Sequence, residues 1–244
     1  LYGLDLADAL LASDRADTVV VVGAEVHRGY MPFGASLGIL LGTEPGPATP
    51  EDYERATASR AWSVLFGDGA GAVVLRRGRD GEGVLVSSLH TDGSLFDLIH
   101  VPGVGFVHQP YVSADQLEAE LHQPHMNGAE LFRNAVRLMP ESIRIVLDTV
   151  GLDLADLDLV LAHQANQRIL DGVAGQLGAT EGLVASNIAH HGNTTAATLP
   201  LLYDECRRDG RTPPGALLAF TAFGAGAHWG ALLYREPAAP VTAS

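Results

Sequence analysis

Lysine is absent from this 244-residue chain; all fifteen of its basic residues are arginine. That absence rules out a lysine Schiff base and a phosphate-binding GxxxxGK[ST] loop within these residues. Cysteine is scarce as well. The single thiol, Cys206, cannot close an intrachain disulfide, and such usage fits a reducing compartment, so the cytoplasm is the expected location. Long hydrophobic runs are missing. The most apolar stretches, "TVVVVGA" and "ALLAFTAFGAGA", have strand lengths and glycine breaks, too short for a membrane span, and no signal-peptide pattern is visible. The formal charge of −14 offers no basic face for nucleic acid. Neither a membrane nor a nucleic-acid partner is expected.

What is present is a chain with 47% hydrophobic residues and 28 glycines, enough to bury a substantial core around many tight turns. "LYGLDLADALLAS" places leucines at near-helical spacing with no capping residue ahead of them, as in a helix already packed at its first turn. "TVVVVGAEV" (18–26) reads as a strand apolar on both faces, and residues 27–60 as a long connection with an apolar and a Pro-rich acidic part. "GAVVLRR" and "VLVSSLH" are strands, 94–125 is irregular, and 128–150 is an amphipathic helix that Pro140 should bend. From there strands and helices alternate: strand "LDLVLAH", helix "NQRILDGVAGQLG", short strand "LVASN", a helix ending at Gly210, then strands "GALLAFTAFG" and "HWGALLYRE". That alternation defines an α/β layered fold. "FGDGAGAVVLRR" from Phe66 and "FGAGAHWGALLYR" from Phe223 echo each other, which either reflects two glycine-rich turns or a duplication into two similar halves.

Three segments end at turns suited to chemistry. His163 closes a buried strand where the chain enters a helix, the place where sites form in open α/β sheets. Asn193, in "HHGNTTAATLP", occupies a similar turn, with Gly192 permitting close backbone approach. The glycines of "AFGAGAHWG" allow a tight turn whose N–H groups suit a developing oxyanion. Taken singly, His163 is a structural histidine, Asn193 a cap and the last turn a plain hairpin; together they form a convergent set. The glycine motifs at Phe66 and Phe223 precede strands and do not open helices, so they do not form a dinucleotide fingerprint. His100, His108, His122 and His125 fall in one irregular region and read as surface histidines; no metal site is expected. Cys206 lies at the C-terminal end of its helix, where the dipole does not favour a thiolate, and is structural.

"FGDGAGAVVL", "HQANQRIL", "HGNTTAATLPLLYDECRRDG" and "AFGAGAHWGALL", in this order, resemble β-ketoacyl-acyl carrier protein synthase III, a thiolase-like condensing enzyme. The resemblance implies a five-layered α-β-α-β-α fold of two duplicated halves. Residues 1–80 would then be the incomplete first half, with an insertion at 27–60 that roofs the acyl pocket or extends the dimer surface, and residues 81–244 the second half. It implies a Cys-His-Asn site in which His163 and Asn193 are the histidine and asparagine. The nucleophilic cysteine is expected just upstream of Leu1, and the Ala225 N–H, where relatives usually have glycine, as an oxyanion donor. It further implies Arg60 against the coenzyme A nucleotide, and Gly128, Phe132 and Asn166 along the pantetheine tunnel. Ala129 replaces an asparagine common in relatives. Phe66 and Phe223 would pack near the site, Phe223 shaping the malonyl carboxylate pocket, and Arg168 would dock an acyl carrier protein.

The implied reaction is decarboxylative Claisen condensation of an acyl thioester with malonyl-carrier protein. Coenzyme A and phosphopantetheine thioesters are substrates, and no cofactor is implied. A homodimer is expected, completed by an N-terminal segment or a companion chain. Two other readings keep the fold: acyl transfer to an alcohol or amine without decarboxylation, and a catalytically inactive partner subunit.

Overall fold

The computed structural model describes residues 1–27, 37–40 and 42–238. The apolar part of the expected 27–60 connection therefore lies largely outside the described residues. Helix α1 (Tyr2–Ala12) leads into strand β1 (Thr18–Glu25), followed by the short α2 (Leu37–Leu40), α3 (Pro50–Ser63) and β2 (Gly69–Arg76). Next come β3 (Gly83–Thr91), β4 (Ile99–His100), α4 (Ala114–Glu118), β5 (His125–Met126) and the long α5 (Gly128–Val150). The chain finishes with β6 (Leu159–Ala162), α6 (Gln167–Leu177), α7 (Ile188–His191), α8 (Thr198–Arg208), β7 (Leu217–Gly224) and β8 (His228–Arg235).

The main sheet has the order β3-β8-β7-β6, with β6 and β7 parallel and the other neighbours antiparallel. Its strands alternate, and both sets of side chains are apolar. Val160 and Ala162 of β6 face α5 and α6, whereas Leu159 and Leu161 face Leu199, Leu202 and Cys206 of α8. Burial on both faces is why β6 reads as a continuous hydrophobic run. Beyond α1 and α8 lies a second, antiparallel pair, β1-β2, in register from Thr18↔Arg76 to Glu25↔Gly69. The layers are thus α5/α6, the main sheet, α1/α8, and the β1-β2 ribbon. Both parts of the Phe66/Phe223 echo end in an antiparallel pair, β1 with β2 and β7 with β8.

Several local expectations need correction. Strand β1 is not covered on both faces: Val20 and Val22 are 57% and 64% exposed, and Val74 on β2 is 64% exposed. The Pro-rich stretch before residue 60 is not a loop. It holds α3, opened by Pro50 and a capping box in which Thr49 accepts from the Asp52 N–H and Asp52 accepts from the Thr49 N–H. "LVASN" forms only an isolated bridge, Val160↔Val184. The 94–125 region carries a 3-10 turn at Gly93–Leu98 and the short β4, α4 and β5.

Candidate active site

Parallel pairing of β6 with β7 brings their carboxyl ends to the same edge of the sheet. His163 follows β6 directly and its N–H donates to Thr221 O at 2.8 Å, so the imidazole is carried beside the end of β7. The β7–β8 turn, Ala225–Ala227, extends from that same end. Asn193 arrives from another direction. A parallel bridge joins it to Phe66; its N–H donates to Leu65 O at 2.7 Å and its carbonyl accepts from the Gly67 N–H at 3.0 Å. Gly67 is required here, because a Cβ at that position would stand 2.0 Å from His191 O.

One cavity of about 910 Å³ gathers His163, Asn193, Ala225, Asn166, Phe66 and Phe223 in its wall, with Leu1 at the start of α1 completing it. Within it, burial lowers the His163 pKa to about 4. The imidazole is therefore neutral at pH 7 and keeps one ring N–H to donate. Asn193 is buried, and its Oδ1 accepts the Thr195 N–H at 2.9 Å. With the oxygen so engaged, the NH2 end of the carboxamide is its free donor.

Ala225 does not take a positive φ, so the turn accommodates an alanine without the strain that would call for glycine. Its N–H has no partner among the described residues. Asn166 lines the cavity and also caps α6, its Oδ1 accepting the Ile169 N–H at 3.0 Å. Phe223 is buried in the core, and Phe66 stacks on His27 at 4.7 Å.

The other expected site residues lie apart from this wall. Arg60 is exposed near the end of α3, and Arg168 is exposed in the first turn of α6. Gly128 opens α5 and Phe132 is 38% exposed on it, while Leu131 and Ala135 of the same helix are the ones that reach the cavity. Cys206 is buried among the α8 core residues, and burial pushes its thiol up. Among the described residues no group of three or more potential ligands is placed to hold a metal.

Sequence reading missed two features. His228 also lines the cavity, its Nδ1 2.8 Å from the Thr91 hydroxyl and its ring edge-on to Tyr2 of α1. "GAHWG" is legible only as a hairpin, and nothing local shows that its exposed histidine borders the cavity. The second is Gln164, fully buried beside His163 and hydrogen-bonded across to 185–187; no local pattern in "HQAN" distinguishes a buried glutamine from an exposed one.

Two stacked α/β layers, with an imidazole, a carboxamide and a turn amide in the wall of one cavity, place the chain in the thiolase-like fold class. The family model for 3-oxoacyl-[acyl-carrier-protein] synthase III C terminal matches residues 147–236, and that for 3-oxoacyl-[acyl-carrier-protein] synthase III matches residues 51–93. The chain belongs to this family. The second match begins inside the 27–60 segment that the sequence set apart. A β-ketoacyl-[acyl-carrier-protein] synthase III of Rhodospirillum rubrum is 39% identical over 96% of this chain and 64% of its own length. The crystal structure of the Pseudomonas aeruginosa 3-oxoacyl-(acyl carrier protein) synthase III superposes with a TM-score of 0.75 at 36% identity, over 97% of this chain and 64% of that one. The priming β-ketosynthase of the R1128 polyketide pathway gives 0.75 at 28% identity, over 97% and 62%. The chain thus spans just under two thirds of the length of these relatives. Among the described residues, no helix is long and apolar enough to cross a membrane.

Proposed function

We propose that this chain carries the acid side of a β-ketoacyl synthase III site: the donors that stabilise negative charge during decarboxylative condensation. The observation that supports this most is the common cavity of His163, Asn193, Ala225 and the N-terminal end of α1. On this reading a cysteine thiolate at that helix end attacks an acyl thioester, favoured by the unpaired N–H groups and the dipole of α1. Coenzyme A thiolate leaves, and the acyl group stays on sulfur. Malonyl-carrier protein then loses carbon dioxide, and the resulting enolate carbon forms a bond to the acyl carbonyl. The carbon–sulfur bond to the enzyme breaks, releasing 3-oxoacyl-carrier protein.

His163 and Asn193 donate to the enolate oxygen, each such donor contributing about 3 kcal/mol in comparable sites. The Ala225 N–H receives the oxyanion of the tetrahedral intermediate. A neutral imidazole suits this role, since its proton serves as a donor and is not transferred. Arg168, exposed on α6, pairs with an acidic carrier protein; Arg60 meets the coenzyme A nucleotide; Gly128, Phe132 and Asn166 border the pantetheine path. Loss of carbon dioxide drives the carbon–carbon bond formation, so the reaction calls on no resident cofactor. Residues 1–80 and 81–244 act as parts of two similar halves.

The test offers the natural protein a panel of acyl-coenzyme A thioesters, weighs the intact acyl-enzyme, then adds malonyl-carrier protein and measures carbon dioxide with 3-oxoacyl product. Stoichiometric release of both is expected. Acyl transfer to an alcohol or amine with no carbon dioxide, or no turnover of any thioester, overturns the reading.

A further inference from the structure

The two catalytic turns are far apart in sequence, yet a chain of hydrogen bonds outside the cavity joins them. Gln164, adjacent to His163, is completely buried. Its Nε2 donates to Ala162 O at 2.9 Å and to Ala185 O at 3.2 Å, and its Oε1 accepts the Asn187 N–H at 3.0 Å. Every polar atom of this amide is thus committed to holding β6 and its exit turn against residues 185–187. Asn187, itself buried, then passes the link on: its Nδ2 donates to Glu205 Oε2 on α8 at 2.8 Å. The other oxygen of the same carboxylate, Oε1, accepts from His191 Nε2. Asn187 and His191 stand at the two ends of α7, so one carboxylate grips both ends of the four-residue helix that delivers Asn193. On the far side, the backbone of 191–193 presses on Leu65–Gly67 through the two bonds and the close approach at Gly67 described above.

We infer that Glu205, with His191, Asn187 and Gln164, is a positioning clamp that sets the direction of the Asn193 carboxamide relative to the His163 ring. None of the four needs to touch substrate. The physical case is one of geometry. Gly192 has φ +65° and ψ −161°, a conformation that glycine adopts readily and other residues do not, so the way α7 is held sets the direction in which the chain enters Asn193. Only a group with two acceptors can hold both ends of α7, and a carboxylate is the side chain that offers two without a competing donor. Misplacing a catalytic donor by about 1 Å costs on the order of a hundredfold in rate. This inference rests on the role proposed for Asn193, so its test needs a readout independent of turnover.

The variants are Glu205→Ala, His191→Ala and His191→Gln, with Glu141→Ala on the exposed face of α5 as control. In Glu205→Ala and His191→Ala, kcat for malonyl-carrier protein decarboxylation is expected to fall by about tenfold or more, with KM and the rate of acyl-enzyme formation within about twofold of the parent. His191→Gln restores a donor at similar reach and should recover most of the loss; the control should lose nothing. Amide hydrogen exchange gives the independent readout: the Asn193 and Gly67 N–H groups are expected to exchange faster in both alanine variants. Unchanged exchange and unchanged kcat overturn the clamp, as does an equal fall in acylation and decarboxylation. Faster exchange in a protein whose parent shows no decarboxylation supports the clamp and removes only the proposed reaction.

Discussion

His163 shows how surroundings decide the state of a single side chain. Burial holds its pKa at about 4, against an ordinary 6.5. An unfolded chain therefore takes up this proton at a higher pH than the folded one. Above about pH 6.5 both forms are neutral and the group makes no pH-dependent contribution. As pH falls from 6.5 toward 4, the unfolded state is protonated first and stability declines, by at most about 3 kcal/mol. Below 4 the decline from this residue ends. Histidine-resolved NMR should place the His163 inflection near 4, and His163→Gln should flatten the corresponding part of the stability–pH curve measured in urea. An inflection near 6.5 would mean that the ring is solvated and charged at mildly acid pH, and unsuited to neutral donation.

Glycine has opposite meanings in different elements, and substitution separates them. In the turn before β2, a Cβ on Gly67 would meet the His191 carbonyl oxygen at 2.0 Å, a backbone atom that cannot swing aside as the end of a side chain can. Gly67→Ala is expected to cost about 2–4 kcal/mol in denaturant titration and to displace Asn193. In α6, a Cβ on Gly175 meets nothing within 4 Å. Gly175→Ala should instead stabilise by about 0.5–1 kcal/mol, since helix interiors penalise glycine. Elements of the second kind are the ones the sequence displays. α6 was legible because its apolar period ends at Gly178, which indeed caps it with φ +68°. α3 was hidden because Pro50, Glu51 and Asp52 look like loop composition, although Thr49 and Asp52 have capping-box spacing. "LVASN" has the composition of a strand but makes a single bridge, since pairing depends on neighbours that no local pattern reveals.

At the scale of the whole molecule, the site was legible wherever it follows from strand ends. His163 and Ala225 each close such an end, whereas Asn193, expected at a similar strand end, follows α7; the layered architecture carries all three to one cavity. His228, Gln164 and Glu205 were not legible, because their roles depend on which turns fold against each other. The layers also leave a consequence on the outside. Val20 and Val74 are directly opposed across β1 and β2 and point away from α1 and α8, with Val22 and Ala72 forming the next pair. A contiguous strip of exposed valine favours association. The 244-residue chain is therefore expected to show concentration-dependent sedimentation and to bind a hydrophobic dye. Replacing Val20 and Val74 together by threonine keeps the β-branched shape and the register while removing apolar surface. Sedimentation should then shift toward the monomer and dye binding should fall, with far-UV circular dichroism unchanged. If association persists undiminished in that double variant, the adhesive surface lies elsewhere and the outer face of the ribbon tolerates water as it stands.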